Sequence, residues 1–449
     1  METNLRKADF TSANFANARK AQTFIDSNLQ NTKFNNSILI NGLNSVIFSG
    51  CDMNGSIFWG AKFLDIGDNS QNAAVIFDST NLTNCDFSET VLSNNIASVK
   101  FNNVTIKGST FEFARLSQAS RRFGSATASA VNFSNLDLTN VNFSKAHLSD
   151  SGTGSYASAS VNFTNCILKG ANFSGAVLAS ANGNFQASSS AVNFSGMDLA
   201  NIDFSNAKFS VSATGDCGTI YSSVNMFNAN LNGSKFDNTI LGIDKSTGVN
   251  FANTNLQNTS FINAIFSNAT NMFYSDLRGA DLTGTVGTAK TQNTIWNDGV
   301  IKSFSMESVD DNLSIRKYTP ATEGGTTISA KFAEDASVSG GAMLTLEQGS
   351  EVEVVDNTTL SFGADSSLLI NTDKDGSTTF SVESGAGLTF VNGATLTVNI
   401  IDADSALNAD GYKFAVMNWN DDSRMTGLDD FVIDSSLFLT LNGTSYDKA

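Results

Sequence analysis

The side chains that most often carry out chemistry are sparse in this chain of 449 residues. His147, in KAHLS, is the single histidine and has no partner histidine, so we expect neither a Ser-His-Asp triad nor a histidine metal site. The four cysteines are too sparse for a disulfide framework and lack CxxC spacing: Cys51, Cys85, Cys166 and Cys217. We therefore predict no catalytic residue, no metal site and no cofactor.

Two groups of carboxylates are the remaining candidates for chemistry. NTDKDG at 371–376 resembles the start of a calcium loop, but the bidentate glutamate of such a loop would fall at Val382. We expect a tight turn there instead. Asp310 and Asp311 are adjacent in a polar segment, where carboxylates are usually solvated. The chain has no basic patch with interleaved aromatic residues, so charge-driven binding of nucleic acid is not expected.

The elements that position these residues follow a five-residue period. It is clearest in VNFSNLDLTNVNFSKAHLSD from residue 131 and VNFTNCILKGANFSGAVLAS from residue 161. Neither the helical period nor the strand period of two fits this spacing. A small or medium apolar residue also lies two places before each large one, and Cys51, Cys85 and Cys166 occupy such places. The large residues are predicted core positions: Phe133, Leu138, Phe143, Leu148, Phe163, Leu168, Phe173 and Leu178.

If two of every five residues point inward and three point outward, each group of five residues forms one side of a square coil. The pattern resembles the A-(D/N)-(L/F)-x-x consensus of the pentapeptide repeat family, with close matches in ADFTS and ANFAN at 8–17, ANFSG at 171–175 and ADLTG at 280–284. The resemblance covers residues 5–286. It implies an all-β fold, a right-handed quadrilateral β-helix of about eleven coils stacked at roughly 4.8 Å. Cysteines at inward positions are then predicted to be buried, inert thiols.

Extra residues fall only after the fourth side of a coil. Four successive coils carry inserts of ten to twelve residues there, which predicts a ridge at one corner. The inserts are rich in Ser, Ala and Gly, and each holds one aromatic residue: Phe123, Tyr156, Phe185 and Tyr221. These rings either seal the ridge onto the coils or form an exposed interaction strip for a protein or a glycan, because inserts often mark the binding face of a solenoid.

The pattern changes beyond residue 290. Pairs of alternating apolar residues recur with a step of mostly eight residues, from Leu344 and Leu346 to Leu396 and Val398, between turn signals such as EQGS and GADS. This predicts a second β-solenoid, with a meander of hairpins as the alternative. The predicted division is a pentapeptide β-helix over 1–288, a transition over 289–322, a β-solenoid over 323–401 and a truncated β-rich cap over 402–449.

Charge separates the same regions. Residues 1–289 hold 17 Lys and Arg against 19 Asp and Glu, whereas residues 290–449 hold 9 against 24. The acidic part resembles β-rich regions of secreted bacterial surface proteins, including autotransporter passengers. That resemblance implies an extracellular or cell-surface protein. Because METNLRKADF is not a signal peptide, it also implies that the chain is a fragment. No apolar run is long enough for a transmembrane helix.

These features favour a non-catalytic structural or interaction protein that presents a binding face. The family resemblance implies an alternative, a cytoplasmic DNA mimic that binds a type II topoisomerase, although the repeats carry little net negative charge. A binder of ice or of a crystalline polysaccharide would need the same residue type at equivalent outward positions of successive coils. A polysaccharide-cleaving β-helix would need a carboxylate pair in the repeats. The sequence shows neither.

Overall fold

The computed structural model describes residues 3–15, 22–39, 46–63, 75–93, 98–122, 125–152, 158–182, 188–215, 218–243, 247–372, 377–391 and 394–400, together with four short strands beyond. These residues form strands, bridges and turns without a helix, which confirms the predicted all-β class. The chain divides into two compact units. The square-coil unit is Met1–Phe251, Ser260–Asn271 and Leu282–Ala289, and the three-sheet unit is Ala252–Thr259, Met272–Asp281 and Lys290–Ala449.

Each coil of the square-coil unit has four sides, here called A to D in chain order, and each side stacks in parallel on the same side of the next coil. Side A holds a four-stranded parallel sheet of β1 (Gln22–Ile25), β2 (Val46–Ser49), β3 (Ile76–Asp78) and β4 (Lys100–Asn102). The other sides pair through single-residue bridges, such as Asn4 with Asn28 on side B. A side of five residues is too short for a longer ladder, because its remaining residues form the corner.

Phenylalanine rings form two columns inside this unit. On side C, rings stack at centroid distances of 4.9–5.4 Å through Phe10, Phe34, Phe58, Phe87, Phe111, Phe143, Phe173, Phe204, Phe236 and Phe261. On side A, they stack at 5.0–5.9 Å through Phe24, Phe48, Phe77, Phe101, Phe133, Phe163 and Phe194. Rings of the two columns meet edge to face, which suits their quadrupoles. All eight core positions named from the sequence are buried, with exposed fractions of 1% or less.

On sides A to C, the corners depend on the residue two places after the large apolar residue, which adopts a left-handed backbone conformation. Asn140 has a φ of 58° and Gly170, one coil on, has a φ of 70°. Only Gly, and less readily Asn, takes this conformation without strain from Cβ. The Asn side chains also stack from coil to coil, as where Asn165 Nδ2 donates to Asn135 Oδ1 at 3.1 Å.

The four long inserts are antiparallel hairpins, and all of them leave the coil after side D. They pair β5 (Ser117–Arg122) with β6 (Ser125–Ala130), β7 (Ser149–Ser151) with β8 (Ser158–Ser160), β9 (Ala179–Asn182) with β10 (Ser188–Ala191) and β11 (Ser210–Gly215) with β12 (Gly218–Ser223). Their common origin agrees with the single corner predicted from the sequence.

The three-sheet unit is built from three parallel sheets, so each of its coils has three sides. One sheet joins β13 (Val300–Ile301), β16 (Ala330–Phe332), β19 (Glu351–Val354), β22 (Thr379–Val382) and β25 (Met417–Trp419). The second joins β14 (Ser305–Met306), β17 (Ala336–Val338), β20 (Thr359–Phe362), β23 (Gly387–Phe390) and β26 (Arg424–Thr426). The third joins β15 (Asn312–Ile315), β18 (Met343–Leu346), β21 (Ser367–Thr372) and β24 (Thr395–Ile400).

The pairing distinguishes a solenoid from a meander in this unit. Leu344 pairs with Leu368, and Leu368 with Leu396, in parallel register. Sequential hairpins would instead pair neighbouring strands antiparallel. The eight-residue step is therefore one side of a coil. Among the described strands of this unit, β27 (Leu439–Leu441) and β28 (Thr444–Tyr446) alone pair antiparallel.

Candidate interaction surface

His147 lies on an outward position of side D, bridged to Arg115 and Val177. Partial burial lowers its pKa, and the positive charges of Arg115 and Lys208 lower it further, against the opposing effect of Asp150. The lowered pKa favours the neutral imidazole, first through burial and then through the two cations. Within the described part of the chain, no group of His, Cys, Asp and Glu is arranged to hold a metal ion.

Three cysteines point inward and donate to main-chain oxygens of the preceding coil. Cys51 Sγ lies 3.4 Å from Phe24 O, Cys85 Sγ 3.1 Å from Met53 O, and Cys166 Sγ 2.9 Å from Phe133 O. Serines use the same inward position in the same way, as Ser56 Oγ donates to Leu29 O at 2.7 Å. Burial raises the pKa of all three thiols, which opposes nucleophilic reactivity. Cys217 lies outside the described residues.

The carboxylate candidates have different surroundings. Tyr274 Oη donates to Asp311 Oδ1 at 2.6 Å, and the main-chain N–H groups of Glu307 and Ser308 donate to Asp311 Oδ2 at 2.9 and 3.0 Å. Asp311 therefore anchors its loop instead of being merely solvated, whereas Asp310 is exposed. In the calcium-like segment, Asn371 belongs to β21, and residues 373–376 lie outside the described part of the chain.

The hairpin ridge, β5 to β12, is held together by small side chains. Ser149 Oγ donates to Ser190 Oγ at 2.9 Å, and Ser190 Oγ donates to Ala159 O at 2.7 Å. Ser222 Oγ in turn donates to Ser190 O at 2.5 Å. Serine hydroxyls thus bond each hairpin to its neighbours. The small Ser and Ala side chains allow the hairpins to stack closely.

The aromatic strip predicted on this ridge stays a prediction. Tyr221 lies on β12 opposite Ser212 and is half-buried. The other three rings, Phe123, Tyr156 and Phe185, lie outside the described residues.

A surface that the sequence did not reveal runs along side D. The outward residues of eleven coils are joined by consecutive parallel bridges, and we call them the D row: Asn14, Ile38, Lys62, Val91, Arg115, His147, Val177, Lys208, Ile240, Ile265 and Val286. Six of these residues are apolar, four are basic or histidine, and none is acidic. Ile240, Ile265 and Val286 are 45%, 40% and 54% exposed. Outward positions of such repeats usually carry Asn or Asp, so this row is unusual in both apolarity and charge.

The outward row of side B has the opposite character. In the square-coil unit it comprises Asn4, Asn28, Asp52, Asn81, Thr105, Asp137, Ile167, Asp198 and Asn230. Its amides and carboxylates bond to each other along the row, as Asn81 Nδ2 donates to Asp52 Oδ1 at 3.0 Å and Asn230 Nδ2 to Asp198 Oδ1 at 2.8 Å. Side B thus bonds polar groups along its row and exposes one apolar residue, Ile167, whereas side D exposes three apolar residues together with cations.

The D row could have been found by reading outward residues at intervals of one coil. That interval varies from 21 to 32 residues along the row because of the inserts. The row therefore becomes visible only when the stacking register is known.

Comparison with known proteins identifies the repeats. The family model of pentapeptide repeats matches eight copies in this chain, at residues 159–182 and 247–284, and so confirms the predicted family resemblance in those segments. None of the curated proteins matches the chain by sequence. The described residues contain no helix long and apolar enough to cross a membrane.

Two solved structures illustrate the structural similarity. One is HetL, a pentapeptide repeat protein involved in heterocyst differentiation regulation from the cyanobacterium Nostoc sp. strain PCC 7120. It is 14% identical with a TM-score of 0.23, covering 64% of this chain and 94% of HetL. The other is a trypsin-treated form of QnrB1, a plasmid-mediated fluoroquinolone resistance protein. It is 18% identical with a TM-score of 0.20, covering 47% of this chain and 91% of QnrB1. At such scores the similarity carries no information about function.

Proposed function

Starting from a chain that carries pentapeptide repeats, we propose that it is a non-catalytic structural and interaction protein. Its binding face is the D row. The observation that carries this proposal is the alignment of exposed Ile and Val with unpaired cations along one side, where the repeat ordinarily places Asn or Asp. Exposed apolar residues in a contiguous row are typical of protein–protein contact surfaces.

The groups that could do chemistry support a non-catalytic role. The inward thiols bond to main-chain oxygens and have raised pKa values, and Asp311 is bonded by a tyrosine and two N–H groups. The pKa of His147 is lowered by burial and by cations that would equally weaken it as a general base.

The D row also bears on the alternative of DNA mimicry. A mimic of DNA displays carboxylates in place of phosphates, whereas Lys62, Arg115 and Lys208 give side D the opposite charge. We therefore expect purified protein to leave DNA supercoiling by a type II topoisomerase unchanged. Inhibition at stoichiometric protein would favour the cytoplasmic alternative.

We further propose that the protein is extracellular or located at the cell surface. The acidic composition of residues 290–449 and their regular strand-and-turn pattern support this location. Fractionation and protease shaving of intact cells would test it. Release of fragments from intact cells is expected, and recovery only in the cytosol would contradict it.

Site-directed photocrosslinking would test the binding face. A photoreactive amino acid replaces Ile265 on the D row or, as a matched control, Asn230 on side B, and intact cells are irradiated. Adducts are expected from position 265 and not from position 230. Equal adducts at both positions, or none at 265, would contradict the assignment of the D row as the binding face.

A further inference from the structure

The lysines and the arginine of the D row form no ion pair with the described residues of the chain. Lys62, Arg115 and Lys208 are exposed, and none of them forms an ion pair with a described residue. By contrast, several lysines elsewhere in the same unit are paired: Lys33 with Asp9, Lys107 with Asp137 and Lys145 with Glu112. Side D therefore keeps its positive charge available to another molecule.

A complementary surface exists in the three-sheet unit. The turns that follow β16, β19 and β22 stack in three successive coils and carry carboxylates without any Lys or Arg. We call these residues the acidic corner: Glu334, Asp335, Asp356 and Glu383. Three of them are exposed and Glu383 is half-buried.

Hydrogen bonds orient two of these carboxylates without neutralising them. Asp335 Oδ1 accepts the N–H of Thr359 at 2.8 Å, and Glu383 Oε2 accepts the N–H of Asp356 at 3.0 Å. Among the described residues of this unit, the ion pairs use other carboxylates: Asp276, Glu347 and Glu353. The acidic corner is thus a fixed group of negative charges that remains free for a cation from outside.

The two surfaces share the same repeat distance. Lys62 and Arg115 are two coils apart in the D row, with Val91 between them, which places them roughly 10 Å apart at the strand spacing. The turns of Asp335 and Glu383 are also two coils apart, again roughly 10 Å. Two cations of one surface can therefore meet two carboxylates of the other at the same time.

We infer that the partner of the D row is a second copy of this chain, which docks through its acidic corner. This inference rests on the proposed function of the D row. Because the two surfaces differ, the contact is heterologous, and each bound copy presents a free surface for the next one. Exposed ion pairs are weak and are screened by salt, so the association is expected to be reversible and salt-sensitive.

Sedimentation velocity of the purified full-length chain over a concentration series is the test. At low salt we expect concentration-dependent association, weakened at least tenfold in apparent affinity at about 0.5 M salt. The triple variant Lys62→Glu, Arg115→Glu, Lys208→Glu should abolish it. So should the quadruple variant Glu334→Lys, Asp335→Lys, Asp356→Lys, Glu383→Lys. Mixing the two variants should restore association, because the reversed surfaces are complementary.

A control variant with the same change of charge shows whether association depends on the D row or only on the net charge of the chain. Lys100→Glu, Lys169→Glu, Lys235→Glu alters exposed lysines on other parts of the square-coil unit and should associate like the parent. Circular dichroism and thermal unfolding confirm that each variant is folded. Equal loss in the control, a failure of the mixture to associate, or a parent that stays monomeric throughout would overturn the inference. In the last case, crosslinks from position 265 in cells would still support the D row, with a different protein as its partner.

Discussion

The two units of this protein fill the interior of their stacked parallel coils in different ways. The square-coil unit uses sides of five residues and fills its interior with two columns of Phe rings, whereas the three-sheet unit uses sides of eight residues and a core rich in Leu, Val and Ile. Because a short side has only two inward positions, one of them must carry a large side chain to fill the interior. A longer side contains a true strand such as β19, in which Val352 and Val354 both point inward. Side length thus determines which side chains can form the core.

The units also differ in how they satisfy buried polar groups. In the square-coil unit, inward Ser, Thr and Cys donate to carbonyls of the preceding coil. The three-sheet unit buries a salt bridge: Arg278 is 0% and Asp276 1% exposed, with Nη2 and Oδ2 2.7 Å apart. Arg278 also donates to the carbonyls of Arg316 and Ile328, and Gln257 donates to Asp276. The square-coil unit thus satisfies these buried groups with neutral hydrogen bonds, whereas the three-sheet unit contains a buried cluster of charges.

The largest expected loss of stability comes from the aromatic columns. Phe143→Ala should cost ~3–5 kcal/mol, because the ring contacts four other phenylalanines and leaves a cavity that stacked coils cannot close. Leu368→Ala in the three-sheet unit should cost less, ~2–4 kcal/mol. Denaturant titrations monitored by circular dichroism measure both. Ser158→Ala, at an exposed position of the 152–160 insert, should be nearly neutral, and a loss there equal to that of Phe143→Ala would contradict an outside position for the insert.

Breaking the buried salt bridge should cost about 3 kcal/mol, because Arg278→Met leaves the Asp276 carboxylate buried without its cation. The double variant with Asp276→Leu should recover part of that loss, since no unpaired charge remains. Lys145→Met is the control. It removes an exposed pair with Glu112 at 3.2 Å and should cost less than about 1 kcal/mol. Similar losses for Arg278→Met and Lys145→Met in thermal and denaturant unfolding would show that burial is not the cause.

The corners should give a smaller effect. Asn140→Ala places a less tolerant residue at a φ of 58° and should cost about 1 kcal/mol. Asn140→Gly should be close to neutral, because glycine adopts this conformation freely. A measured order of stability with Ala above Gly at this position would contradict the role of the left-handed corner.

The smallest expected effect is the pH dependence of stability that comes from the contact between Asp311 and Tyr274. Burial alone would raise the pKa of Asp311, but the Tyr274 hydroxyl and two main-chain N–H groups outweigh it and hold that pKa below its ordinary value of 3.8. Burial and the same contact raise the pKa of Tyr274 to about 12. Because the pKa of Asp311 is lower in the folded chain than in the unfolded chain, its stabilising contribution is present above about pH 4 and is lost as pH falls further.

Tyr274→Phe tests this contact. The variant should be less stable than the parent near neutral pH, and the difference should shrink below about pH 4. Equilibrium unfolding at a series of pH values would measure it. A difference independent of pH would assign the effect to packing of the phenol, and a growing difference in acid would contradict the sign.

Patterns among neighbouring residues were enough to predict much of the fold. The five-residue period and the inward small residue both involve residues within one side, so they are readable without knowing which coils stack on each other. The corner of the inserts was predictable for the same reason, since extra residues interrupt the period only after side D.

Pairing across coils was not readable in the same way. Alternation within β18 or β21 is the same whether a strand pairs with its neighbour in sequence or with a strand one coil away. The choice between hairpins and a solenoid therefore needed the structure. The aromatic strip was a different case, because three of its four residues lie outside the described part of the chain.

The sequence by itself determined the square coil and its core, because both depend on whether neighbouring side chains point inward or outward. Only the tertiary structure decided what each surface carries. The D row brings together residues 21 to 32 positions apart, at intervals set by inserts of unequal length. Arg278 follows Leu277 at a position that the repeat turns outward, yet it is buried because carbonyls of residues 316 and 328 accept its N–H groups. Surface composition and buried charge both depend on contacts between distant segments, which a local period does not encode.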